Sequence, residues 1–490
     1  MINSIQQFIE YGIPNLQKAA QEYTTDPVDF AGFVYKVRDE ALKLALDYIS
    51  ETLNTCNELI RDNPKRRERW DIVRTDNKTL ITSIGAVNFQ KTLFRNKSTG
   101  TTRYLVDELL GFESHERISE DAYAQLLTEC SQTSYRKGGE AVSILDTVSK
   151  QTVKTKIHAL EFPKEHAHRG RKRKVEYLYI EADEDHISLQ FQNKKGDLEV
   201  NENGRKLNGM INKLVYVHEG IMREAPKSKR HKLINPHYIA GTYEGKANSE
   251  LWDEVYEYIE NNYDIDRIRR IYISADGGAW IKSGRKRISG LVYVLDGYHL
   301  EQCLFKMTSH MLDNAGEARE MIRHTISEGN KDDFISVVDM LLNYADGKKE
   351  EDRILENRDF VLDNWSAAKV RLNETSAVGS STEGHVYHVL SSRMSCLAMG
   401  WSRKGADKMA RLRAYRYNGK DMLELVRYQK QIQKKAAGAE ETVELISEVR
   451  NTSHKYPAWG KYEETMRVEL SAEMKKKMRI GLHSFIWKLL

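Results

Sequence analysis

Three acidic residues stand out by where they fall in the chain. Asp183 closes the run Glu176-Tyr-Leu-Tyr-Ile-Glu-Ala-Asp183, and Asp276 closes Ile271-Tyr-Ile-Ser-Ala-Asp276-Gly-Gly. Glu383 opens a stretch with helical patterning, Gly379-Ser-Ser-Thr-Glu383-Gly-His-Val. In an α/β sheet, ligands gather at the carboxyl ends of the strands, beside glycine-rich turns. Carboxylates that converge there repel one another unless a cation lies between them. Their oxygens suit hard Mg²⁺, which keeps positions open for phosphate and water. Two such ions about 4 Å apart activate an attacking oxygen and stabilise a leaving one. The chemistry these acids point to is metal-dependent phosphoryl transfer.

For one acid alone, a turn residue at a strand end is the better explanation. The apolar-strand-then-Asp pattern occurs again, however, with Asp296 after Gly290-Leu-Val-Tyr-Val-Leu295. Asp185 is a substitute for Asp183 should that assignment fail. Glu181 and Glu184 are expected on the opposite side of the strand or in solvent. His186 and His388 read as polar fillers rather than ligands, and Trp280 as a core residue rather than a base-stacking one. Lys282, Arg285, Lys286 and Arg287 either bind phosphate or form a solvated loop. Arg393 receives no role.

The elements that must position these acids follow from periodicity. Residues 1–68 read as an N-terminal helical region, with Phe33, Val34, Val37, Ala41, Leu42, Ala45 and Ile49 on one face. It ends near Asn63-Pro64, a breaker. Residues 69–116 show β-branched alternation in Asp71-Ile-Val-Arg-Thr, Leu80–Ile84, Val87–Phe94 and Thr101–Leu105, a small sheet region. Residues 117–163 carry a helix-turn-helix pattern. Gly138-Gly139 precede an expected first helix over Ala141, Val142, Ile144 and Leu145. Ser149 then caps a second helix with Val153, Ile157 and Leu160 inward and Lys150, Gln151, Lys154 and Lys156 outward. That is the arrangement of a recognition helix in a major groove; the plainer alternative is a helical hairpin with a solvated face. The basic run 164–174, including Arg171, Lys172, Arg173 and Lys174, is either a phosphate-contacting segment or a solvated linker.

Residues 164–300 read as α/β. Strands are expected at Val175–Ala182, Ile187–Gln192 and Lys213–His218. A helix at Glu250–Asn262 follows, then buried strands at Ile271–Ala275 and Gly290–Leu295. The order is that of a ribonuclease H-like core: a three-stranded meander followed by helix-crossed parallel strands. In it the strands ending in Asp183 and Asp276 are neighbours. Residues 301–372 are expected to be helical, 373–415 to complete the core with the Glu383 helix, and 416–490 to form a helical tail rich in Lys and Glu.

With these residues in view, the chain resembles bacterial insertion-sequence transposases of the ISLre-two type, distant relatives of the Mutator-like transposases. The matching stretches are Tyr179-Ile-Glu-Ala-Asp183-Glu-Asp-His186, Asp276-Gly-Gly-Ala-Trp280-Ile-Lys282, Tyr293-Val-Leu-Asp296-Gly-Tyr-His299-Leu and Gly379-Ser-Ser-Thr-Glu383-Gly-His-Val-Tyr-His388, with Met399-Gly-Trp401-Ser beyond. They are long, in the right order and spread over most of the chain. The resemblance implies that Asp183, Asp276 and Glu383 form a DDE triad holding two Mg²⁺, with Mn²⁺ as a substitute. It implies that Asp296 and His299 form an auxiliary D-x-x-H signature, and that the helices after His299 are an all-helical insertion before the Glu-bearing helix. In that reading Asp183 bridges both ions, and Asp276 and Glu383 each complete one site. His299 orients a water, contacts phosphate or bonds to Asp296. The second motif departs from the pattern at its third position, Gly278, and leaves Asp276 untouched.

Composition narrows the alternatives. The 490 residues carry a formal net charge of only +4, so charge patches matter more than the sum. No apolar run is long enough to span a bilayer, and the N-terminus lacks the pattern of a signal peptide. The four cysteines, Cys56, Cys130, Cys303 and Cys396, form no C-x-x-C pair. That fits free thiols in a reducing cytoplasm, where a nucleoid-associated location is expected. The expected partners are double-stranded DNA, as the element's terminal inverted repeats and as target, and further copies of the chain, at least a dimer. The competing functions are a ribonuclease H-like nuclease that cuts without joining and a non-catalytic DNA-binding protein derived from a transposase.

Overall fold

The computed structural model describes residues 3–64, 66–113, 115–164, 170–200, 204–275, 278–378 and 381–436. They fall into two compact units. The first draws on Met1–Cys130, Ser134–Val153 and the helix Met422–Ala436. Its N-terminal part is helical: Ile13–Thr25 packs against Phe30–Asp62, which starts at the Asp29 cap and stops before Pro64. A three-stranded antiparallel sheet follows, Trp70–Ile81, Ala86–Asn96 and Thr102–Arg103. The expected segment at Asp71 and the start of the one at Leu80 are thus one strand that ends at Ile81, and Leu105 begins a helix instead of ending a strand.

The first helix expected of the helix-turn-helix is not where the sequence placed it. Residues 141–148 are non-helical, with Ile144 and Leu145 exposed. The helix is Tyr135–Glu140, and Gly138 and Gly139 lie inside it. The glycines serve close packing rather than a helix start. A Cβ on Gly139 would stand 2.3 Å from the Val148 carbonyl oxygen. The helix Lys150–His158 lies where the sequence placed it, and Ser149 Oγ accepts from the Thr152 amide at 3.2 Å.

The second unit, Ser131–Thr133 and Lys154–Asp421, is built on a five-stranded sheet. Its strands are β1 (Tyr177–Ser188), β2 (Gly209–His218), β3 (His237–Gly241), β4 (Arg270–Ala275) and β5 (Leu291–Leu295). The spatial order is β3-β2-β1-β4-β5. The pairs β3–β2 and β2–β1 are antiparallel, and β1–β4 and β4–β5 are parallel. Parallel neighbours need a crossover connection, and the helix Asn248–Asn262 lies between β3 and β4 in the chain.

Ile187–Gln192 is not a separate strand: β1 runs on to Ser188, and the third strand, β3, was not foreseen. Asp183 therefore lies within β1. The polar run Asp183-Glu-Asp-His186 looked like a strand end because β4 leaves β1 there. The β1–β4 ladder stops at Glu181 and Ser274, while β2 alone continues to Ser188.

Side chains alternate across the sheet with the period of two. Leu178, Ile180, Ala182, Val215, Val217, Ile271, Ile273 and Leu295 join the main core. That core includes Trp252, Val255 and Ile259 of the helix Asn248–Asn262. It continues through the helices Gly297–Thr308, Ala315–Glu328, Lys331–Leu342, Lys348–Asp363 and Trp365–Asn373 with Leu304, Ile322, Phe334, Val338 and Val361. On the other face Tyr179, Tyr272 and Val294 pack with Val370, Ala377 and Val378. Among the described residues no helix is long and apolar enough to cross a membrane.

Candidate functional site

By the same period, Tyr179, Glu181, Asp183 and Asp185 share the face of β1 opposite the main core. Asp183 is half-buried, and its Oδ1 accepts the Glu184 amide at 2.8 Å. Glu383 is exposed at the second position of the helix Thr382–Val386. Asp276 lies outside the described residues, directly after the last residue of β4. The ladders give the register up to that point. Ser274 pairs with Glu181, the last pair of the β1–β4 ladder. Ala275 pairs with Leu295, and the next positions are Asp276 and Asp296. Among the described residues no group of three metal-ligating side chains converges.

Sequence reasoning misplaced Glu181. It is neither on the opposite side from Asp183 nor in solvent but 2% exposed, on the same face. Its Oε2 accepts from Tyr216 Oη at 2.5 Å, Thr382 Oγ1 at 2.7 Å and the Ser381 amide at 3.0 Å. Its Oε1 lies 3.1 Å from His218 Nε2. Burial pushes the Glu181 carboxyl up, but the His218 bond and charge, with Tyr216 and Thr382, outweigh it and hold the carboxyl at about 2. The signal was available: a lone carboxylate inside Leu178-Tyr-Ile-Glu-Ala182 cannot be buried without partners. Those partners fasten the start of the Glu383 helix to β1.

A second clasp holds the same helix further along. Asp185 is buried, and its Oδ1 accepts from Ser391 Oγ at 2.8 Å and Ser395 Oγ at 2.7 Å. Its Oδ2 has no partner, and desolvation raises its carboxyl despite the two serines. Asp185 is thus occupied with holding the helix, which leaves Asp183 the more open of the two. Residues Tyr387–Ser391 form a wider π-helical turn, a feature concentrated at functional sites. The buried Arg413 donates to the His388, Val389 and Ser131 carbonyls and to Ser392 Oγ. His385 Nδ1 lies 2.8 Å from Tyr238 Oη, and burial lowers its pKa.

Asp296 caps the helix Gly297–Thr308 by accepting from the Tyr298 amide at 3.2 Å, and its Oδ2 is 3.0 Å from His299 Nδ1. Asp296 is buried and His299 half-buried. Trp280 packs against the core, and its Nε1 donates to Glu184 Oε2 at 2.9 Å. The exposed His186 lies 3.2 Å from Glu184. Lys282, Arg285, Lys286 and Arg287 are exposed. Arg393 is buried over the Trp401 ring at 4.9 Å.

On the helix Lys150–His158, Val153 and Ile157 are buried, Lys150 and Gln151 exposed, and Lys154 and Lys156 half-exposed. Residues 165–169 of the basic run lie outside the described residues. Arg171, Lys172 and Lys174 are exposed. Arg173 instead donates to Glu219 Oε1 at 2.7 Å and Tyr258 Oη at 3.0 Å, with its guanidinium over the Tyr263 ring. It is tied into the protein rather than offered to a phosphate.

Comparison with known proteins adds a family. The model of an uncharacterised protein family, UPF0236, matches residues 23–432. Three relatives from Caldanaerobacter subterraneus subsp. tengcongensis are each named only as a UPF0236 protein with gene labels. Two are 34% and 33% identical over 392 residues, covering 80% of this chain and 79% of their own. A third is 34% identical over 392 residues, covering 80% of this chain and 75% of its own. The first name carries four gene labels and the second eleven.

Proposed function

The chain belongs to the uncharacterised family UPF0236, and we propose that it is a DDE transposase of an insertion sequence. In this reading it cleaves DNA at the element's terminal inverted repeats and joins the freed 3′ ends to target DNA. The observation that carries the reading is the clasp between Glu181 and Thr382, which ties the strand bearing Asp183 to the helix bearing Glu383. The strand order, antiparallel through β3-β2-β1 and parallel through β1-β4-β5, supports a ribonuclease H-like core. The parallel ladders support it as well: the strand of Asp183 pairs with the strand that precedes Asp276 in the chain, and that strand pairs with the one that precedes Asp296. The relatives' names support mobility: one protein name covering eleven gene labels in one organism is what a self-multiplying sequence leaves.

The donor chemistry of the three acids fits Mg²⁺, since all are carboxylates and two, Asp183 and Glu383, reach solvent. Asp183, Asp276 and Glu383 would hold two ions, which supply activation of the attacking oxygen and neutralisation of charge on the leaving one. The chain's own groups do the positioning. Glu181 and Asp185 fix the Glu383 helix on β1, and Asp296 orients the His299 ring through Nδ1. Lys150, Gln151, Lys154 and Lys156, with Arg171, Lys172 and Lys174, contact DNA. Two ends must meet in one complex, so the working form is at least a dimer.

The test is incubation of the protein with labelled DNA carrying the element's ends and Mg²⁺ or Mn²⁺, beside Asp183→Ala and Glu383→Ala. Wild type is expected to cleave and join, while both variants bind and do neither. Cleavage without joining moves the protein to the nuclease class. Binding without metal-dependent chemistry leaves a DNA-binding protein derived from a transposase.

A further inference from the structure

Between β2 and β3 the chain makes an excursion that the carboxylate chemistry does not use. Ile221–Arg223 and His231–Leu233 pair antiparallel, with Ile221 opposite Leu233, Met222 opposite Lys232 and Arg223 opposite His231. The ribbon is ordered to its tip. The Glu224 amide donates to the Arg230 carbonyl at 2.9 Å, the Ser228 amide to the Ala225 carbonyl at 2.9 Å and the Arg230 amide to Ser228 Oγ at 3.0 Å. Its base is fixed as well. The Glu219 amide donates to the Ile234 carbonyl and the Ile234 amide to the Gly220 carbonyl, each at 2.9 Å. The Glu219 carboxylate is held by Arg173, Asn235 and Tyr263. Gly220, at φ +128, supplies a backbone conformation that other residues rarely adopt.

The charge on this ribbon is the unusual part. Residues 223–232 carry five cations, Arg223, Lys227, Lys229, Arg230 and Lys232, against one carboxylate, Glu224. All five are exposed, and among the described residues none has a carboxylate within ion-pair distance. The chain as a whole has a formal net charge of only +4. An isolated two-stranded ribbon is marginally stable at best, and unpaired like charges add repulsion. A solvated turn needs neither the ordered tip nor the concentration of charge. Alternation sets the two cations of the ladder, Arg223 and Lys232, on opposite faces, while Lys227, Lys229 and Arg230 lie in the loop between the strands. Lys232 stands with its partner Met222 on one side, and Arg223 with His231 on the other.

We propose that this ribbon, residues 221–233, enters a groove of duplex DNA and contacts phosphates on both walls. The B-form major groove is about 12 Å wide and admits a two-stranded ribbon. A ribbon charged on one face would suit a single backbone; one charged on both suits a groove with a phosphate strand on each side. The inference rests on the transposase reading only for the identity of the partner as DNA.

The test uses the full-length protein, a random-sequence DNA duplex of about 30 base pairs and no divalent metal, with binding measured at several salt concentrations. The compared variant is Lys227→Ala/Lys229→Ala/Arg230→Ala/Lys232→Ala. Each lost phosphate contact lowers the slope of log K against log salt by about 0.9, so the slope is expected to fall by roughly 3 to 4. Exchange of the three lysines for arginine is expected to leave it intact. The single Lys229→Glu variant gives the same direction should the quadruple variant fold poorly. An A-form RNA duplex of equal length, whose major groove is too narrow for the ribbon, is expected to show the smaller loss. An unchanged slope on DNA, or an equal or larger loss on RNA, overturns the proposal, as does a wild type that binds no duplex. Because no metal or element end is present, failure of strand transfer leaves this result standing.

Discussion

Glu181 and Thr382 meet at 2.7 Å across the face of the sheet, one on the strand of Asp183 and the other beside Glu383. The carboxylate is a positioning group: it holds together two elements that carry candidate ligands. Glu181→Gln keeps the volume but replaces an acceptor oxygen with an NH₂ that faces donors. The variant is expected to fold and to bind element ends as wild type does. Strand cleavage should fall tenfold or more, and the Mg²⁺ concentration giving half-maximal cleavage should rise. Titration of cleavage against Mg²⁺ checks this, and an unshifted curve would falsify the positioning role.

The same residue sets an acid limit. The native Glu181 carboxyl, at about 2, lies below its ordinary value of 4.5. The unfolded chain therefore takes up the proton first as pH falls. The stabilisation is complete above pH 4.5 and is lost between there and about pH 2. Urea unfolding across that window should show a shallower loss of stability for Glu181→Gln than for wild type.

Asp185 behaves in the opposite sense. Burial raises its carboxyl, so the folded state keeps the proton longer than the unfolded one. Its stabilising contribution is present below the ordinary value of 3.8 and is lost as pH rises through the raised native value. At neutral pH the chain holds a charge whose Oδ2 has no partner. Asp185→Asn removes the charge and still accepts from Ser391 and Ser395. It should stabilise the protein by about 1 kcal/mol at pH 7 and show less benefit at pH 4. A lower urea midpoint at pH 7 would refute the argument.

How much of this was legible in the sequence depends on the range of the forces involved. The strands Arg270–Ala275 and Leu291–Leu295, the first half of Tyr177–Ser188 and the charged helices beyond His299 announce themselves through local periodicity. The bond between Asp296 and His299 is one of the three roles that the sequence left open for His299. β3, only five residues long, was missed because its residues are buried by β2 and by the helix Arg403–Tyr417, distant in sequence. The helix expected at Ala141–Leu145 failed for a similar reason. Of its apolar residues Val142 is buried while Ile144 and Leu145 are exposed, and the chain there follows the close contact of Gly139 with the Val148 carbonyl, which periodicity does not encode. That Glu181 needs partners could be read from its apolar surroundings, but which partners it and Arg413 have could not, because these lie far along the chain, at Thr382 and at Ser131.

Arg413 gives the last test. A π-helical turn follows Glu383, and the guanidinium reaches the His388 and Val389 carbonyls within it, the Ser131 carbonyl and Ser392 Oγ. The fork geometry of arginine suits several acceptors lying in different directions, whereas an ammonium presents its donors from one point on a flexible stem. Burial lowers the Arg413 pKa to about 10, so it remains charged at neutral pH and its bonds are charge-assisted. Arg413→Lys preserves the charge but leaves some of these buried acceptors unmet. Each unsatisfied group costs about 1–3 kcal/mol, and the variant should lose roughly 2–4 kcal/mol in urea unfolding. If charge alone mattered, Arg413→Lys would match wild type while Arg413→Met fell; if the fork matters, both fall together.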